Sequence, residues 1–186
     1  MEGQEQFINS NIPNKGTGAG GANTNANGLS YEDSTDLPYI EIQKYKDHKL
    51  IKFEHSQKTF VNTKKSGLFR YMKNKMNHQI IPAHGCKQPD ECYIDEDGRN
   101  MYIIEKKFQQ TGGSVCEKIQ SSEMKKWQYE RTFPDYNIIY IYCLSSWFRE
   151  NCKAEIEYLN FKQVPVFWGD SDTYKENLIQ FILNYK

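Results

Sequence analysis

Pro89-Asp90 precedes, by one short stretch of chain, Glu105-Lys106-Lys107, which closes the apolar run Met101-Tyr102-Ile103-Ile104. Two acids and a lysine so placed suit chemistry at a divalent metal ion. Hydrolysis of a phosphodiester holds a cation such as Mg2+ against the phosphate with a few carboxylate oxygens, leaving its other positions to water and substrate. Asp90 and Glu105 supply the carboxylates, and the main-chain carbonyl of Lys106 offers a third oxygen. Side chains alternate along a strand, so Glu105, Lys107 and Gln109 share one face while Ile104, Lys106 and Phe108 take the other. One face then carries a metal ligand, a cation and an amide. Lys107 would lower the pKa of an attacking water or stabilise charge building on the phosphate. The plain alternative is an ordinary salt bridge between Glu105 and a lysine.

These residues need a hairpin to bring them together. Cys92 to Asp95 and Met101 to Phe108 read as its strands, joined by Glu96-Asp97-Gly98-Arg99-Asn100, whose Asp-Gly pair is a turn signal. Asp90 then sits at the bend where the first strand begins. Upstream, Gly28 to Asp33 looks like the start of a short helix capped by Asn27 or Ser30. Tyr39 to Gln43 alternates as a strand, and Leu50 to Phe53 pairs with it across Lys46 to Lys49. Ser66 is placed to cap a helix running to about Met76. Lys64, Lys65, Arg70, Lys73 and Lys75 make this the most basic stretch, either a solvated face or a contact for DNA phosphates.

Downstream of the hairpin, Ser114 caps a long helix over about Val115 to Thr132, with Val115, Ile119 and Trp127 at helical spacing, and Pro134 stops it. Ile138 to Leu144 is apolar on both faces, as a central buried strand would be. A helix over Trp147 to Leu159, a strand over Val164 to Trp168 and an amphipathic helix over Tyr174 to Tyr185 complete the pattern. The expected fold class is α/β, a mixed central sheet flanked by helices, forming a single domain over residues 1–186.

The chain has 186 residues, enough for one core. Its 24 Lys and Arg balance 24 Asp and Glu, so no broad positive field holds a polyanion unaided. Residues 9–29, rich in Asn, Gly, Thr, Ser and Ala, read as an arm or mobile loop. Within them Gly16 to Gly21 fits a dinucleotide fingerprint by letter only, because no strand precedes it. The five cysteines (Cys86, Cys92, Cys116, Cys143, Cys152) include no Cys-x-x-Cys pair and read as reduced thiols of a cytoplasmic protein. A zinc site from His84, Cys86 and Cys92 lacks a partner pair. Neither a signal peptide nor an apolar span long enough for a membrane is present, so no membrane partner is expected.

Asp90, Glu105 and Lys107 match the PD-(D/E)XK motif, and the chain resembles type II restriction endonucleases of that family. The likeness is closest in Pro89 to Ile94, Ile103 to Gln110, Gly113-Ser114-Val115 and Glu117 to Gln120, which look like the block of type IIS enzymes that cut at an offset from a short asymmetric site. Gly18-Ala19 to Asn25 and Asn27 to Glu32 are similar to the N-terminal region of those enzymes, whose first helix brings a further acid to the site; carried over, that acid is Glu32. The resemblance implies a restriction-endonuclease-like core and an Mg2+-dependent nuclease acting on double-stranded DNA. These enzymes, when they act alone, carry a much longer recognition region. The resemblance therefore implies the small catalytic subunit of a heterodimer, cutting one strand when a large, site-specific nicking subunit recruits it. A stand-alone repair or junction-cleaving nuclease of the same fold, or a non-catalytic DNA-binding relative, is the alternative.

Overall fold

The computed structural model describes residues 21–77, 79–110 and 116–185. Among them seven strands form one mixed sheet, in the spatial order β1-β2-β3-β4-β5-β6-β7. The strands are β1 (Ile40–Lys44), β2 (Lys49–Lys52), β3 (Thr59–Thr63), β4 (Glu91–Asp95), β5 (Asn100–Lys107), β6 (Asn137–Leu144) and β7 (Val166–Trp168). The first five pair antiparallel in sequence order, whereas β5, β6 and β7 run parallel. Parallel neighbours need crossover connections, and helices supply them. These are α3 (Glu117–Gln120) and α4 (Ser122–Thr132) between β5 and β6, then α5 (Trp147–Asn151) and α6 (Lys153–Phe161) before β7.

Alternation along the central strands divides the core into two layers. Cys92, Ile94, Met101, Ile103, Tyr140 and Tyr142 face one side, packed with Leu68, Met72, Ile119, Tyr129, Phe148 and Leu159. Leu68 and Met72 come from α2 (Ser66–Lys75). Tyr93, Tyr102, Ile104, Ile139 and Ile141 face the other side. There they meet Tyr31 of α1 (Gly21–Ser34) and Tyr174, Leu178 and Ile182 of α7 (Tyr174–Asn184). The α/β class with a mixed, helix-flanked sheet is as expected. Every residue of β6 after Asn137 is buried, as its two-sided apolar run requires.

Several local expectations give way to tertiary packing. Residues 21–29 belong to α1 and not to a loose arm, because the C-terminal turns of that helix dock Tyr31 and Thr35 against the sheet. Asn27 and Ser30 lie inside α1 and do not cap it. Ser66 is the first residue of α2 and its hydroxyl bonds Arg70; the capping position is Lys65, with no side-chain cap. The long helix after β5 is broken at Ser121, and Trp127 points outward, 47% exposed, under the Arg131 guanidinium. Its expected cap, Ser114, lies outside the described residues, as do 9–20 and Gly113 to Val115. The helix over 147–159 is likewise two helices, divided at Cys152, where φ is −125°.

That division coincides with a second correction. Cys116 and Cys152 form a disulfide, with Cα atoms 5.5 Å apart, so only Cys86, Cys92 and Cys143 are free among the five. The pairing joins the start of α3 to the α5–α6 junction, a proximity that linear spacing does not reveal. In the β4–β5 turn, Arg99 carries the positive φ of 52°. Gly98 is needed for space: a Cβ there would fall 2.3 Å from Asp95 Oδ2. No helix among the described residues is long and apolar enough to cross a membrane.

Candidate metal centre

The β4–β5 hairpin brings the two acids together by ordinary antiparallel register. Glu91 pairs with Ile104, which sets Asp90, one residue before the strand, beside Glu105. The main-chain N–H of Lys106 donates to Asp90 Oδ2 at 2.7 Å. Between the acids sits an ammonium: Lys107 Nζ lies 2.8 Å from Glu105 Oε1 and 3.6 Å from Asp90 Oδ2. It also donates to the Lys106 carbonyl at 3.1 Å. The three oxygens expected to bind a metal thus converge on one positive charge. They are hard donors of the kind Mg2+ prefers.

The pleat separates Lys106 from Lys107. Lys107 turns to the face covered by α4, where Lys125 Nζ also reaches Glu105 Oε1, at 3.1 Å. Lys106 turns to the α1 face and is almost wholly buried. Its Nζ lies 3.0 Å from Glu91 Oε2 and 2.6 Å from Asp36 Oδ1, and donates to the Glu32 carbonyl at 2.9 Å. Glu91 is completely buried and also accepts from Tyr93 Oη at 2.7 Å and Asn62 Nδ2 at 3.2 Å. Buried charge is tolerated when it is paired and hydrogen-bonded in this way. Lys106 therefore pins the end of α1, and with it Glu32, to the strand that carries the acids.

Glu32 is brought near the centre, close enough for its charge to raise the Asp90 pKa. Its carboxylate pairs with Lys65 at 3.3 Å. The three acids are not drawn into a tight trio. Among the described residues, the one set of three acid, His or Cys donor atoms within 4.8 Å of one another is Cys116, Cys152 and Glu155. Two of those sulfurs are spent on the disulfide. Cys92 is sealed in the core, and His84, Cys86 and Cys92 are not such a set. Gln109 lies past the end of β5; its main-chain N–H donates to Ser145 Oγ, whose hydroxyl in turn donates to the Gln109 carbonyl, both at 3.1 Å. It borders a groove with Trp147, Glu150 and Asp170.

The electrostatics of the two acids differ. Burial works to raise Glu105, but Lys107 and Lys125 outweigh it and hold its carboxyl below the ordinary value. Burial pushes Asp90 up; Lys107 opposes this, yet the neighbouring Glu105 charge adds to it, and Asp90 ends above its ordinary value. Burial alone would lower Lys107, but Glu105 and Asp90 raise it, so it is a cation at neutral pH.

Sequence reasoning missed Lys125 and the buried Lys106–Glu91–Asp36 cluster, and it read Lys65 as part of the basic stretch without its pairing to Glu32. Nothing in the helical stretch Glu123-Met124-Lys125-Lys126 separates the inward lysine from its neighbour, because the distinction comes from how α4 lies on the sheet. The basic stretch around α2 is largely paired with acids: Lys64 with Asp36, Arg70 with Asp47 and Lys75 with Glu96. No family model, curated protein or solved structure matches the chain.

Proposed function

We propose that this chain is an Mg2+-dependent DNA endonuclease, the catalytic subunit of a type IIS restriction enzyme. It cuts one strand at an offset from a short asymmetric site when a large DNA-recognising subunit recruits it. The observation that carries this reading is the convergence of Asp90 Oδ2, Glu105 Oε1 and the Lys106 carbonyl on a single cation. The PD-(D/E)XK likeness of the same residues supports it. So does the balanced charge, since a partner would supply the affinity that 24 basic against 24 acidic residues do not.

Asp90, Glu105 and the Lys106 carbonyl would hold Mg2+, with Glu32 as a further acid. A bound Mg2+ supplies Lewis-acid polarisation of the phosphate and a water acidic enough to attack it. Lys107, whose ammonium lies among those oxygens, would offer its charge to the phosphate as charge builds there. Being protonated, it acts as a cation and not as a base. Lys125 keeps Glu105 ionised when Lys107 leaves it. Lys106 holds the end of α1 in place and so keeps Glu32 near the other acids.

The test is plasmid cleavage in Mg2+ with and without the large subunit, with the ends mapped. Site-specific cutting by the chain alone would defeat the subunit reading. Cutting of branched DNA without a partner would favour a repair or junction nuclease. No cutting in any combination, and no binding of Mg2+ or Mn2+, would leave a non-catalytic DNA-binding relative.

A further inference from the structure

Lys65 enters α2 in a backbone conformation that belongs to glycine, with φ 50° and ψ −127°. The main-chain N–H of Gly67 donates to the Lys64 carbonyl at 2.9 Å, so residues 64–67 close a β-turn with Lys65 at its first central position. The angles are those of a type II′ turn, whose first central residue is glycine because any Cβ is crowded there. A lysine in that position strains the backbone, and such strain persists where the surroundings over-determine it, commonly at functional sites.

The surroundings here are the acids. The Lys65 N–H donates at 2.9 Å to the carbonyl of Pro89, the residue before Asp90. Its ammonium lies 3.3 Å from Glu32 Oε2, bridging the α2 side of the sheet to the α1 side. Among the described residues, three lysine ammonium groups pair with the carboxylates of the three site acids. Lys107 and Lys125 are 25% and 19% exposed and both committed to Glu105, whereas the Lys65 side chain is 54% exposed. It is the one that an arriving anion meets first.

We infer that Lys65 is a phosphate-binding residue of this centre, gripping the backbone of a DNA strand as it enters. This rests on the nuclease reading and deepens it. A phosphodiester oxygen competes with Glu32 for the ammonium, so substrate entry releases the Glu32 carboxylate beside Asp90 as Lys65 turns away. A turn that needed no side chain at this position would carry glycine.

Three variants of the full chain, assayed with the recognition subunit, test this: Lys65→Gly, Lys65→Arg and Lys65→Gln. Lys65→Gly relieves the turn, and its melting temperature should rise by about 2–4 °C. Its KM for DNA should rise at least about tenfold, and the log–log salt slope of KM should fall by about 1, the signature of one lost phosphate contact. Lys65→Gln should share the KM defect without the gain in stability, and Lys65→Arg should keep most of the affinity. Lys65→Gly with unchanged KM and salt slope would overturn the inference, and so would a fall in its melting temperature, which would make the lysine structural. If the unsubstituted protein cleaves no DNA, the nuclease reading falls first and takes this one with it.

Discussion

Lys106 donates its main-chain N–H to Asp90 Oδ2 at 2.7 Å, so the backbone of the strand carrying the second acid of the centre also holds the first. The geometry between the acids is therefore fixed by the hairpin and not by flexible side chains, as precise metal chemistry demands. It also lets one acid be changed without moving the other.

Asp90→Asn keeps an oxygen to accept that bond. Burial and the Glu105 charge push the Asp90 carboxyl up, so the folded state opposes its ionisation at neutral pH. The substitution should raise the melting temperature in metal-free buffer while lowering DNA cleavage by about 100-fold or more. Glu105→Gln should be at least as damaging to cleavage. Full cutting by either variant would refute the site.

If the centre holds a divalent cation as proposed, Lys107 competes with it for the same oxygens. Lys107→Met should abolish cleavage yet tighten Mn2+ binding in the absence of DNA. Removing a unit charge about 4 Å from a divalent ion is worth ~2 kcal/mol even at the dielectric constant of water, or roughly thirtyfold in Kd. Isothermal titration calorimetry measures this. Weaker Mn2+ binding in the variant would mean that the ammonium and the metal do not share a site.

Lys106→Met leaves Glu91 buried without its cation and removes the Lys106 tie between β5 and α1. Breaking such a pair costs about 3–5 kcal/mol, which urea denaturation would read directly. The double variant Lys106→Met/Glu91→Gln should recover much of that loss. If it does not, the cluster's worth lies in the Asp36 and Glu32 contacts.

Far from the centre, Glu96 accepts bonds from Tyr71 and Tyr136 and pairs with Lys75. Burial works to raise its carboxyl, but those three donors outweigh it and hold it below the ordinary value. A depressed carboxylate stabilises the fold above its unfolded pKa and ceases to do so as pH falls through the folded one. Glu96→Gln should thus cost about 2 kcal/mol at pH 7, with the gap to the parent closing as pH drops below about 4. A gap independent of pH would show that charge plays no part.

The Cys116–Cys152 disulfide closes a loop with a sequence separation of 36. On chain-entropy grounds it is worth about 3–4 kcal/mol. Cys116→Ser, or reduction with dithiothreitol, should lower the denaturation midpoint accordingly. An unchanged midpoint in both would mean that the bond does not form in solution.

The sequence was legible where structure is local. Alternation in β4 and β5 and the turn between them placed Asp90, Glu105 and Lys107 together and set Lys106 on the opposite face. The apolar run of β6 announced a buried strand. Where partners are distant the text was silent. Thr59 to Thr63, two of them threonines, joins the sheet as β3 because it is sandwiched between β2 and β4, and its own pattern is weak. Lys125 reaches Glu105 from a crossover helix, and Cys116 finds Cys152 across another. The glycine-like geometry of Lys65 is invisible in a stretch that reads simply as basic.

The pleat that sends Lys106 to one layer and Lys107 to the other leaves no latitude in spelling. Deleting or inserting a single residue within β5 would hand the anchoring job to the wrong lysine and turn Glu105 into the wrong layer. Of all the segments in the chain, this strand should be the least forgiving of changes in length, even where it would tolerate changes of letter.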